Sequence, residues 1–250
     1  MNAAWRCRFA KLGRARFFSH LDLMRIMTRS LRRAGLTPAY SGGFHPHARL
    51  SFGPALAVGL ESCAECFDAV ITEAVSAGEL RDRLNAALPE GLCLLEAAPA
   101  PQGAPLAAYL DTAAYLIRVA GSGANPAPLT GLLQSAALPY ERRGPQGSRT
   151  LDLRPLLLGL DLSKLDDGLL GLLGVTGARG NLRPEELLGL VCGLEIRGVM
   201  RAGLFHRDGE RTLDPLTGME KDWHEAVFSV RWLPGRAGCD AACSCRSLCD

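Results

Sequence analysis

The order of hydrophobic patterns in the first 97 residues restricts the fold more than any other feature of the chain. Alternating apolar residues predict strands, and apolar residues three and four apart predict helices. The segments follow one another as strand, helix, strand, strand, helix, strand, at residues 5–9, 20–34, 49–52, 66–72, 79–88 and 92–97. This order is typical of a ferredoxin-like split βαβ unit, an antiparallel sheet with two helices on one face.

A second run of predicted strands and helices occupies residues 112–206. The intervening stretch begins with APAPQGAPLA, which is rich in proline and lacks periodicity, so it predicts a linker at residues 98–111. Residues 207–250 hold one further predicted strand, at 226–233, and many cysteines. We therefore predict an α+β protein with two tandem ferredoxin-like halves, a basic one at 1–97 and a second at 112–206, followed by a cysteine-rich C-terminal extension.

The charge is unevenly distributed along the chain. Residues 1–60 contain ten Lys or Arg and a single acid, Asp22, whereas the remainder carries eighteen basic and twenty-five acidic residues. A local excess of positive charge of this kind favours a polyanionic partner such as RNA.

The predicted helix at 20–34 carries much of this charge. Ser19 and Asp22 have the S-x-x-D spacing of a capping box, and Gly35 is placed to end the helix. We expect its packed side to be formed by Leu21, Leu23, Met24, Met27, Leu31 and Ala34. The opposite arc would present the candidate phosphate ligands Arg25, Arg29, Arg32 and Arg33. An ordinary solvated helix face is the alternative, although such faces usually mix both charges.

The loop that follows has the sequence YSGGFHPH. Glycine pairs allow backbone amides to approach a ligand, and residues two apart point the same way in an extended segment. These properties favour binding of an anion such as a phosphate backbone, and an exposed hairpin turn without a ligand is the alternative. The candidate residues are Gly42, Gly43, His45, His47 and Arg49.

Three histidines are weak candidates for catalysis. The imidazoles of His20, His45 and His47 could serve as acid–base groups because imidazole titrates near neutral pH. His20 stands in the first helical turn, where capping or packing is an equal alternative. The sequence contains no dinucleotide-binding glycine fingerprint, P-loop, HExxH motif or nucleophile elbow, so we predict that the chain is not a catalyst by itself.

The cysteines bear on metal binding and compartment. Nine cysteines in a chain with no recognisable export signal indicate thiols or metal ligands and a cytoplasmic location. No uninterrupted apolar run reaches the length of a membrane span. Four cysteines with C-x3-C-x-C-x3-C spacing could hold a zinc ion or an iron–sulfur cluster, with unligated thiols as the alternative; they are Cys239, Cys243, Cys245 and Cys249.

One long stretch resembles a known family. The residues RFFSHLDLMRIMTRSLRRAGLTPAYSGGFHPHARLSFGPALAVGLES, at 16–62, resemble the N-terminal signature of the radical SAM-linked protein family, and the DLRPLLLGLDL and GNLRPEELL segments resemble its later parts. The resemblance implies a partner, a radical SAM protein encoded beside or fused to the domain. It implies no reaction, because the family has no established activity. Neighbouring genes for ribonuclease and ribosomal proteins in this family add some support for RNA.

These observations leave three hypotheses. The first is an accessory RNA-binding or substrate-presenting module that works with a radical SAM partner enzyme. The second is a protein-interaction subunit whose basic surface docks that partner without RNA. The third is a histidine-dependent RNA-processing enzyme.

Overall fold

The computed structural model describes residues 3–101, 105–120, 125–144 and 147–230. Its strands are β1 (Ala3–Lys11), β2 (Leu50–Phe52), β3 (Glu61–Ile71), β4 (Leu92–Pro99), β5 (Thr112–Val119), β6 (Pro139–Gly144), β7 (Gly147–Asp152), β8 (Leu157–Asp161), β9 (Leu169–Val175), β10 (Ile196–Asp208) and β11 (Arg211–Leu213). Its α-helices are α1 (His20–Arg33), α2 (Ala77–Asn85), α3 (Leu106–Tyr109), α4 (Pro126–Gln134), α5 (Pro184–Leu188) and α6 (Trp223–Phe228). The predicted α+β class is confirmed.

Nine of these strands form one mixed sheet. The order is β4-β1-β3-β10-β5-β9-β8, with β2 also beside β3 and β11 also beside β10, while β6 and β7 form a separate hairpin. β3 and β10 are parallel and pair through Glu61 with Met200 and Ser62 with Arg201. This short parallel pairing joins the strands of the first hundred residues to those of the remainder.

Three core clusters lie against this sheet, the smallest of which packs α6 on β5 and β10. α1 and α2 cover β1 and β3, and the largest fully buried side chains there include Phe9, Met27, Leu31 and Phe67. The second cluster fills the region around β5, β9 and α4. Within the stretch predicted as a linker, α3 places Leu106 in this second core, and Leu110 is buried just after it. No helix among the described residues is long and apolar enough to cross a membrane.

The packed side of α1 differs from the expectation at two positions. Leu23, Met27 and Leu31, four residues apart, face the core, whereas Leu21 is 62% exposed and Met24 37% exposed. At 100° per residue, Leu21 lies only about 40° from Arg25 around the helix axis, so it shares the outer face with the arginines. The prediction that Leu21 and Met24 are packed was wrong.

The last described element also differs from the prediction. Residues 226–228, expected to begin a strand, belong to helix α6. The carboxylate of Asp222 accepts a hydrogen bond from the backbone N–H of His224 and caps this helix, and Ala226 and Val227 are buried against the sheet. Two adjacent buried residues fit one face of a short helix better than the alternation of a half-buried strand.

Two cysteines on β1 and β3 should be unreactive in the folded protein. Burial raises the pKa of the Cys66 thiol to about 12 and raises that of Cys7 as well, so neither forms the nucleophilic thiolate at mildly alkaline pH. We expect iodoacetamide at pH 8.5 to modify the exposed Cys192 rapidly and these two only after unfolding, as measured by peptide mass spectrometry. Equal rates for Cys66 and Cys192 in the native protein would contradict this packing.

Candidate anion-binding surface

The ten basic residues of the first 60 divide into an internal and an external set. Arg6 donates to the carboxylate of Asp68, Arg8 is paired with Glu96 and Asp214, and Lys11 is fully buried. The other seven are exposed and form no ion pair with any described residue: Arg14, Arg16, Arg25, Arg29, Arg32, Arg33 and Arg49. Three of the ten basic residues are therefore paired or buried within the fold, and the seven exposed arginines leave a net positive surface.

The single acid of this region is engaged at the start of α1. The backbone N–H of Asp22 donates to the Ser19 hydroxyl at 3.2 Å, and the Asp22 carboxylate accepts from the Ser19 backbone N–H at 3.1 Å, which confirms the capping box. Hydrogen bonds from Ser19 hold the pKa of Asp22 below its usual value. Gly35, with φ of +68°, follows the helix as predicted. Because its carboxylate is used by the cap, Asp22 does not form a salt bridge with the arginines farther along α1.

Three arginines share one stripe on the outer face of α1. Arg25, Arg29 and Arg32 are spaced four and three residues apart, so their side chains lie on the same side of the helix. Arg33, four residues after Arg29, lies at the edge of this stripe, but its guanidinium donates to the carbonyl oxygen of Ala87 after α2. The structure therefore leaves the side chains of three of the four predicted helix arginines on the outer face and ties that of the fourth to the segment after α2.

Arg32 connects α1 to the glycine–histidine loop. Its Nε donates to the Tyr40 hydroxyl at 2.7 Å, and the guanidinium carbon lies 5.3 Å from the centre of the Tyr40 ring. Tyr40 and Ala48 pair as an isolated bridge, and the Ser41 N–H donates to the His47 carbonyl oxygen at 2.8 Å. Residues 41–47 thus form a closed loop, which we call the hairpin loop, held beside the last turns of α1.

The hairpin loop is open to solvent along its whole length. All its residues are exposed, and a Cβ added at Gly42 or Gly43 would meet nothing within 4 Å. Gly43 has φ of +107°, a conformation that favours glycine. The predicted residues Gly42, Gly43, His45 and His47 are therefore all accessible. Arg49 follows in an extended segment, where its N–H donates to the Ala39 carbonyl oxygen.

The three candidate histidines have different surroundings. The ring of His20 packs edge-on against Phe52, with centroids 5.6 Å apart, and is half-buried. His45 and His47 are exposed in the hairpin loop, where the backbone N–H of His47 donates to the Ser41 hydroxyl at 3.0 Å. His20 therefore packs against Phe52, and the catalytic role of the three histidines stays a prediction.

Exposed apolar residues accompany the arginines, and their exposure was not predicted from the sequence. Phe17, Leu21, Met24 and Val58 are all exposed, and the Arg16 guanidinium lies 4.8 Å from the Phe17 ring centre. Leu21 was expected in the core, although its helix angle places it beside Arg25 on the outer face. Phe44, in the hairpin loop, is fully exposed. We call the exposed side of α1 together with the hairpin loop the basic surface.

A buried charge cluster lies where β3 meets β10. The Arg201 guanidinium donates to both carboxylate oxygens of Glu65 at 2.5 Å and to the carbonyl oxygen of Pro54 at 3.0 Å. Burial opposes the charge of Arg201, but Glu65 and Tyr115 outweigh it and raise its pKa. Tyr115 also lines a shallow cleft with residues 55–57 and 181–185. None of these groups is exposed enough to belong to the basic surface.

The predicted metal ligands Cys239, Cys243, Cys245 and Cys249 lie outside the described residues. Across the described ranges, no group of three or more His, Cys, Asp or Glu side chains is placed to hold a metal ion. The zinc or iron–sulfur prediction is therefore untested.

The fold and the site together define an α+β protein with one large mixed sheet and a basic, partly apolar surface on its first helix and the adjoining hairpin loop. Residues 5–184 match the family described as an uncharacterized protein conserved in bacteria, DUF2344, and the chain belongs to this family. The match spans α1, the hairpin loop and most of the sheet. No curated protein matches the chain.

Proposed function

We propose that this protein is an accessory RNA-binding module that presents RNA to a radical SAM partner enzyme. The observation that carries the RNA part is the stripe formed by Arg25, Arg29 and Arg32, exposed, unpaired among the described residues and joined by Tyr40 to an open glycine–histidine loop. The partner part rests on the resemblance of residues 16–62 to the radical SAM-linked family.

The stripe is long enough to contact several phosphates of an RNA backbone. Arg25 and Arg32 are seven residues apart, about 10 Å along the helix axis. Arginine side chains at this spacing can each reach a different phosphate, and phosphate contacts position RNA without reading its sequence. The hairpin loop, with its accessible backbone amides, extends the same surface beyond the end of α1. We therefore expect binding that depends strongly on salt and weakly on sequence.

We also infer that both halves of the sheet are ferredoxin-like units. The first four strands lie side by side in the order β4-β1-β3-β2, and the order β10-β5-β9-β8 repeats it if β6 and β7 are regarded as an inserted hairpin. Each half also has helices between its first and second and between its third and fourth strands. This repetition supports the tandem arrangement expected from the sequence.

Docking of a protein without RNA is the second candidate function. The observation that favours it is the exposure of Phe17, Leu21, Met24 and Val58, of which Leu21 and Met24 lie on α1 with the arginines. Interface cores are enriched in such aromatic and Met side chains. In this case the basic surface would meet an acidic and apolar patch on the partner enzyme.

Reversing two charges on α1 should weaken RNA binding by about tenfold or more at moderate salt, because each lost phosphate contact removes roughly 0.7 from the salt slope for single strands. The change is Arg25→Glu with Arg29→Glu, since neither side chain is tied to the fold as Arg32 is to Tyr40. The measurement is fluorescence anisotropy of a labelled mixed-sequence RNA across a salt series.

The matched control is Arg149→Glu with Lys164→Glu, which reverses two exposed charges on β7 and before β9. It should retain more affinity and a steeper salt slope than the α1 variant. Equal affinities for the two variants would overturn RNA binding at α1. Recovery of a radical SAM protein from ribonuclease-treated lysate with the wild type, but not with the α1 variant, would favour the docking function.

A further inference from the structure

We infer that the hairpin loop binds an unpaired RNA base by stacking it on the ring of Phe44; this inference rests on the proposed function. The relative exposure of Phe44 is 102%, the highest among the large hydrophobic residues of the described part of the chain. Its side chain contributes to none of the three core clusters. The loop carrying it is closed by hydrogen bonds at Ser41 and His47, so the ring is presented from a defined base.

The surroundings of the ring favour a nucleotide over an apolar partner. Gly42 and Gly43 leave the approach to the loop free of side chains, and apart from Pro46 the rest of the loop is polar. At the base of the loop, the Arg32 guanidinium lies over the Tyr40 ring and offers a positive charge for a phosphate. An exposed aromatic ring in the loop, together with an arginine at the base of the loop, suits a ligand that has both a flat π surface and a negative backbone.

The same features select single-stranded over double-stranded RNA. In an A-form duplex the base faces are covered by their neighbours, so an aromatic side chain can stack only where bases are unpaired. Stacking on one ring tolerates any base, so the loop should accept loops, bulges and ends without a strict sequence. The arginines of α1 would contact phosphates of the same strand, from Arg32 at the base of the loop to Arg25 about 10 Å farther along the helix axis.

The test compares Phe44→Ala, Phe44→Trp and the wild type on a single-stranded RNA and on a blunt RNA duplex. Phe44→Ala should weaken single-strand binding about 5- to 150-fold, the range found for loss of one base–aromatic stack, and leave duplex binding unchanged. Phe44→Trp should bind the single strand at least as well as the wild type. Its added indole fluorescence should be quenched by the single strand and not by the duplex.

The matched control is Met219→Ala, which also removes an exposed apolar side chain but lies near β11. It should leave both affinities unchanged. Because Phe44 is fully exposed, its replacement should leave the thermal midpoint unaltered, and circular dichroism checks this.

The outcomes separate the inference from the proposed function. Salt-dependent RNA binding that falls on Arg25 and Arg29 reversal but not in Phe44→Ala would overturn base stacking and leave the proposed function intact. No salt-dependent binding to either RNA would overturn both. The third outcome is that Phe44→Ala binds RNA as the wild type does but no longer recovers the radical SAM protein from ribonuclease-treated lysate. This result would assign the loop to protein docking and overturn the inference.

Discussion

Replacing Glu65 with glutamine is expected to lower the free energy of unfolding by about 3–5 kcal/mol, because it leaves the charge of Arg201 buried without its partner. Arg201 is 1% exposed and Glu65 6% exposed. The pair bridges β3 and β10, whose backbone pairing is limited to two residue pairs. The Arg201 guanidinium also holds the Pro54 carbonyl oxygen, so losing its position would disturb the segment before β3.

The measurement is the midpoint of urea unfolding. A shift of the midpoint with an unchanged dependence of the unfolding free energy on urea concentration reports a change in stability alone. Glu96→Gln is the matched control, since Glu96 pairs with Arg8 but its side chain is 53% exposed, and surface pairs of this kind contribute about 0–1 kcal/mol. Glu65→Met combined with Arg201→Met should recover much of the loss, because no charge remains buried. A Glu65→Gln midpoint equal to that of Glu96→Gln would show that the pair does not hold the two strands together.

The elements that could be predicted from the sequence are those set by local signals. The capping box at Ser19 and the glycine at 35 are signals that involve only a few neighbouring residues. They predicted the end of α1 to within one residue of its observed position. The pairing of β3 with β10 has no such signal, because Arg201 and Glu65 are 136 residues apart. A parallel join between distant strands depends on the packing of the whole chain, and no short pattern predicts it.

The site shows the same division. The hairpin loop was identifiable because glycine, proline and histidine mark a turn by composition alone. The different contacts of Arg32 and Arg33 could not be predicted from the sequence. Adjacent helical residues differ by 100° in direction, and the position of α2 decides which of the two side chains reaches the segment after it. Leu21 was assigned to the core because hydrophobicity was given more weight than helix angle. Phe44 could have been noticed, since an aromatic residue in a glycine-rich turn has no core within reach.

Replacing Lys11 with methionine is expected to raise the free energy of unfolding at neutral pH by about 1–3 kcal/mol, the range for removing an unsatisfied buried polar group. Lys11 is 0% exposed, and its Nζ donates no hydrogen bond to any atom of the described residues. Burial lowers the pKa of this amine; Glu65 opposes the shift and Arg201 adds to it. Methionine has similar length without a charge to desolvate.

The gain from Lys11→Met should shrink as the pH rises. A lysine in the unfolded chain titrates near about 10.4, and the folded pKa of Lys11 lies below its ordinary value. Between these two values the unfolded state binds more protons, so the wild type gains stability with pH while the variant lacks this contribution. Urea unfolding of both proteins from pH 7 to 10.5 measures the difference. Lys164→Met, at an exposed position, should change stability by less than about 0.5 kcal/mol with no such trend. A Lys11→Met variant less stable than the wild type at pH 7 would show instead that the ammonium contributes net stability beside Glu65.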